Sequence, residues 1–112
     1  MKRALFIGRW QPLHDGHRWL FNQKLEQDIP ILIAVRETNV DASNPFTMEQ
    51  VIENLEKEYL EEVRNGVVKI ISIPDIESVN YGRGVGYEIN EFVPPEDIGN
   101  ISATDIRKEL TQ

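Results

Sequence analysis

The stretch that decides the fold is RALFIGRWQPLHDGHRWLF, Arg3 to Phe21. Its short continuous apolar run, ALFIG, reads as a buried strand of about Arg3 to Ile7 that ends at Gly8. A polar turn follows that contains both histidines of the chain, His14 and His17. Behind it, HRWLFNQKLEQ carries Trp19, Leu20, Phe21 and Leu25 at roughly helical spacing and ends before Pro30. Strand, turn and helix in that order are the first half of a βαβ unit, and PILIAV supplies the second strand.

Outward from this unit the pattern repeats. RETNVDASNP is polar and rich in Asn and Asp, so it is a loop. TMEQ is a capping box, with Thr47 as N-cap and Gln50 three residues on. The helix it opens presents Met48, Val51, Ile52, Leu55 and Tyr59 on one face, and Asn65-Gly66 is expected to end it. VVKIISI reads as a third strand stopped by Pro74. DIESVNYGRGVG is a glycine-rich loop, YEINEFV alternates like a more exposed fourth strand, and ISATDIRKEL enters a short helix. Continuous apolar strands between amphipathic helices predict a parallel sheet covered on both faces. In such sheets ligands bind beyond the carboxyl ends of the strands. The segments expected at that rim are GRWQPLHDGH, RETNVDASNPF and DIESVNYGRGVG.

The totals bound the reading. A chain of 112 residues is expected to form one domain over 1–112. Its formal charge of −7 argues against a nucleic-acid or anionic-membrane surface, but not against a local anion pocket. With no cysteine there are no disulfides, thiolate metal sites or Cys nucleophiles. Arg9 cuts the first apolar run well below the length of a signal segment, so a cytoplasmic protein is expected.

At the histidine turn, Gly16 is expected to permit a tight turn, and the helix N-terminus offers amide donors and the positive end of its dipole. His14 and His17 can then donate to phosphate oxygens from one side, with Arg9 and Arg18 adding charge and Pro12 stiffening the approach. A lone histidine near a helix start is more often a cap or surface residue, and a metal pair is a second alternative that finds no third ligand. Trp10 and Trp19 are read as packing residues.

The whole string changes that balance. GRWQPLHDGH resembles the G-R-F-Q-P-F-H-x-G-H signature of the nucleotidylyltransferase superfamily, with Trp10 in place of one aromatic. ISATDIR, Ile101 to Arg107, resembles the same superfamily's I-S-x-T-x-I-R. GR-aromatic-QP resembles the nicotinamide-mononucleotide adenylyltransferases more than the glycerol-phosphate cytidylyltransferases, and NPFTMEQ resembles the DPFT-x-x-E-R of archaeal members. The resemblance implies a Rossmann-like, three-layer α/β/α fold around a small parallel sheet. It implies an enzyme that moves a nucleoside monophosphate from an NTP to a phosphate-bearing small-molecule acceptor, with release of pyrophosphate. His14, His17 and Arg107 would be catalytic, and Gly8, Arg9, Gln11, Gly16, Ser102 and Thr104 would bind nucleotide. Arg36, Tyr81 and Arg83 are candidates for the acceptor side, and Trp10 is not among the ligand contacts. Mg²⁺ is expected with the triphosphate rather than in a protein cage. ATP and CTP both remain open, with adenylyl transfer of the nicotinamide-mononucleotide type preferred. A non-catalytic nucleotide-binding module is the rival of another class, and a fragment of a class I aminoacyl-tRNA synthetase is remote. A homo-oligomer, using YEINEFV as an edge, stays open as well.

Overall fold

The computed structural model describes residues 2–83 and 86–94. Its element order is β1 (Ala4–Gly8), α1 (Asp15–Leu25), β2 (Ile31–Arg36), α2 (Met48–Glu58), α3 (Leu60–Arg64) and β3 (Val68–Ile73). The strands form one parallel sheet in the order β1-β2-β3, with Ala4 beside Ile31 and Ile31 beside Val68. This is a small Rossmann-like α/β fold.

Two right-handed crossovers that step in the same direction across a sheet place their helices on the same face. The contacts agree. Phe21 of α1 meets Tyr59, directly after α2, with ring centroids 5.8 Å apart, and Arg18 of α1 pairs with Glu58 of α2. The core lies between these helices and the sheet, where Phe21, Ile31, Ile33, Val35, Val51, Leu55 and Val68 are fully buried. Burying each such side chain contributes about 1.5–3 kcal/mol before entropy is subtracted. The opposite face of the sheet alternates with the core face and carries Leu5, Ile7, Leu32, Ile71 and Ile73, with Leu5 exposed. The third layer of the expected arrangement is not among the described residues.

Local sequence accounts for most boundaries. Thr47 and Gln50 form both halves of the capping box at α2, and Gly66, at φ 77°, takes the left-handed position after α3. The single helix expected as far as Asn65 is interrupted. Tyr59 leaves helical geometry at φ −115° and ψ 36° while its ring packs into the core, which divides α2 from α3. YEINEFV forms no strand, so that expectation is corrected. Its alternation supplies an apolar face but no strand among the described residues pairs with it, and Tyr87, Ile89 and Val93 stand exposed. ISATDIR lies outside the described residues. No helix among the described residues is long and apolar enough to cross a membrane.

Burial, and then the Glu58 carboxylate beside it, raise the Tyr59 phenol from 10.0 to about 12. A phenol raised on folding adds stability that is fully present below its unfolded value and is lost as pH rises through its folded one. Titrated by chemical denaturation, the wild type is therefore expected to lose stability between about pH 10 and 12 more steeply than Tyr59→Phe. Identical slopes in that window would contradict the assignment.

Candidate active site

Because the strands are parallel, the residues that follow β1, β2 and β3 share one rim. Side-chain bonds tie these segments together across it. Arg9 reaches Asn44, Gln11 reaches Phe46, and Arg36 pairs with Asp75 at 2.8 Å and reaches the Ile76 carbonyl. The three expected rim segments do converge.

The turn after β1 is built around Trp10. This residue holds a left-handed φ of 53°, a conformation that costs a non-glycine residue of the order of 1–3 kcal/mol. Its indole is 5% exposed and donates through Nε1 to the Ala34 carbonyl of β2 at 3.1 Å. The ring lies against Gly8 so closely that a Cβ there would come within 2.9 Å of two ring atoms. It also packs against Phe21 and meets His17 edge-on, with centroids 4.9 Å apart at 85°. The peptide between Gln11 and Pro12 is cis.

His14 is the N-cap of α1. Its Nδ1 accepts the Gly16 amide proton at 3.0 Å, and its carbonyl accepts from the amides of His17 and Arg18. The cap and ligand readings of this residue are therefore compatible. A histidine that accepts at Nδ1 carries its proton on Nε2, so Nε2 is the donor nitrogen. The His17 ring stacks on it, with centroids 3.8 Å apart and planes 22° from parallel. The two imidazoles thus stand side by side at the helix start, where an anion is favoured.

Several expectations are refined here. Gly16 is not the left-handed residue of the turn; it lies inside α1, and Trp10 and Gly8 make the close geometry instead. The Gly16 and His17 amides, expected as anion donors, are engaged by His14 itself. Arg18 faces away, bonded to Glu58 and Asp15, and the Glu58 bond is the first cause that raises its pKa. Gln11 spends its carboxamide on the backbone of Phe46. Tyr81 and Arg83 line a shallow hollow with Tyr87, Glu88 and Ile89, and no residue of the histidine turn borders it. Ser102, Thr104 and Arg107 lie outside the described residues. Sequence reasoning does not reach the long-range hydrogen bonds of Gln11 and Trp10, whose partners sit 35 and 24 positions away with no local signal.

The chain is 33% identical over 97 residues to a nicotinamide-nucleotide adenylyltransferase of Pyrobaculum neutrophilum, covering 85% of this chain and 53% of that protein. It is 37% identical over 99 residues to a protein of the same name from Caldivirga maquilingensis, covering 85% and 53%. A third, from Methanococcus aeolicus, is 32% identical over 116 residues, covering 96% and 62%. The chain is similar to these nicotinamide-nucleotide adenylyltransferases over most of its own length. It spans about half the length of the curated relatives it matches. No protein-family model matches it.

The Trp10 geometry makes Gly8 intolerant of a side chain. Gly8→Ala is expected to cost about 1–3 kcal/mol in thermal unfolding, because the buried, hydrogen-bonded indole cannot yield. The near-ultraviolet signal of tryptophan should change with it, and unchanged stability would refute the packing account.

Proposed function

We propose that the chain is an adenylyltransferase that uses ATP and a mononucleotide acceptor of the nicotinamide-mononucleotide type. The observation that carries this reading is the stacked His14–His17 pair at the carboxyl end of β1, in a chain homologous to proteins named for that reaction. In this reading an oxygen of the acceptor's phosphate attacks the α-phosphorus of ATP. A new P–O bond forms, the bond to the bridging oxygen breaks, and its electron pair leaves with pyrophosphate. The attacking phosphate is already ionised near neutral pH, so what the protein contributes is positioning and charge stabilisation.

His14 Nε2 and the His17 imidazole would donate to the α-phosphate, whose charge grows as the fifth oxygen approaches. Trp10 packs edge-to-face against His17, and the α1 cap fixes the His14 tautomer. Arg9 would serve the departing phosphates, joined on the motif's authority by Ser102, Thr104 and Arg107. Arg36, Tyr81 and Arg83 are kept as acceptor-side candidates, with Arg36 needing to exchange Asp75 for substrate. Mg²⁺ would arrive with ATP, held by phosphate oxygens and water. Among the described residues no three acidic or histidine side chains gather into a metal cage. The setting we propose is the cytoplasm, and a homo-oligomer is compatible with it.

The alternative of another class is a nucleotide-binding module without catalysis. Use of CTP in place of ATP is the variant within the enzyme reading. Pyrophosphate release measured with ATP or CTP and nicotinamide mononucleotide separates all three. ATP is expected to support turnover, and His17→Ala to lower it about 10²–10³-fold. Release with CTP alone would transfer the reading to cytidylyl chemistry, and ATP binding without release would favour the module.

A further inference from the structure

Gln11 is 3% exposed, yet it belongs to a polar turn at the rim of the sheet. Its Oε1 accepts the Phe46 amide proton at 2.9 Å, and its Nε2 donates to the Phe46 carbonyl at 3.0 Å. A carboxamide carries a donor and an acceptor as a peptide group does, so it can pair with a stretch of backbone in two directions at once. Gln11 thereby stitches the β1–α1 turn to the last residue before the Thr47 cap of α2.

The stitched loop has an order of its own. Asp41 Oδ1 accepts from the amides of Ser43 and Asn44, each at 2.8 Å, and from Asn44 Nδ2. Asn44, 8% exposed, turns its Oδ1 back across the gap to accept from Arg9 Nη1 at 3.2 Å. Gln11 and Arg9 are thus linked through a loop about 35 residues further along the chain.

We propose that Gln11 is a positioning residue that docks the β2–α2 loop so that Asn44 can hold Arg9 ready for the nucleotide. Gln11 then acts through the loop and not by touching the nucleotide itself. The inference rests on the proposed function only in giving Arg9 to the phosphates of ATP. A long flexible arginine held before the ligand arrives loses less freedom on binding, and that is the benefit the clamp confers.

Two measurements test it, on wild type, Gln11→Ala, Arg9→Ala, the double variant and Asn44→Ala. Amide exchange reads the clamp without any ligand, and calorimetry with Mg-ATP reads its consequence. In Gln11→Ala the Phe46 amide is expected to exchange at least about tenfold faster, while the central residues of β2 keep their protection. Gln11→Ala and Arg9→Ala are each expected to weaken ATP binding about tenfold, and the double variant to resemble Arg9→Ala alone. Asn44→Ala, which leaves the Gln11–Phe46 pair in place, is expected to weaken ATP similarly with Phe46 still protected. It decides the matter if Gln11→Ala does not fold. Unchanged Phe46 exchange in Gln11→Ala, or penalties that multiply in the double variant, would overturn the inference while leaving adenylyl transfer intact. Absence of ATP binding by the wild type would overturn both.

Discussion

The site depends on one packing constraint, the indole of Trp10 pressed against a residue with no side chain. Gly8 ends β1, and its bare backbone lets the ring lie where a Cβ would collide at 2.9 Å. The indole hydrogen bond to Ala34 then fixes the ring to the central strand, and the left-handed backbone at Trp10 throws the chain back over the rim. His17 stands on the edge of that ring and His14 stacks on His17. The histidine pair is thus anchored to the sheet through aromatic contacts, with little left to the loop. A preorganised donor of this kind is what electrostatic catalysis of group transfer requires, since it need not reorganise as charge develops.

The same economy shapes the polar groups. His14 caps α1 with one imidazole nitrogen and presents the other as a donor, so the bond that starts the helix also selects the tautomer. Asp15, Glu58 and Asp75 engage Arg18 and Arg36, and Asn44 engages Arg9. In a chain of net charge −7, an anion pocket therefore relies on local geometry and not on a general positive field.

How much of this was legible in the sequence follows from range. The three apolar strands, the Thr47 capping box and the stop at Gly66 are local signals, and each is found within a residue or so of where periodicity and caps put it. His14 and His17 were legible as a pair because their motif is contiguous. Gln11 stands in the same contiguous motif, but its partner Phe46 lies across a loop, so the sequence could not show that its carboxamide serves the backbone. Trp10 was correctly read as packing, though nothing local announced its left-handed backbone or its bond to Ala34. Tyr59 kept the helical spacing and still broke the helix, since burial of its ring against Phe21 outweighs continuity of the hydrogen-bond ladder. YEINEFV kept the strand alternation and formed no strand, because a strand needs a neighbour and alternation does not provide one.

The proposed adenylyl transfer rests on the His14–His17 pair together with the similarity to nicotinamide-nucleotide adenylyltransferases, of whose length the chain spans about half. The direct test of that claim is the imidazole nitrogen spectrum of the wild type, recorded before and after addition of Mg-ATP. The account expects His14 as the Nε2–H tautomer in the free protein, with Nδ1 unprotonated, and shifts at both His14 and His17 on addition of nucleotide. An Nδ1–H tautomer at His14, or resonances of both rings that ignore ATP, would contradict it.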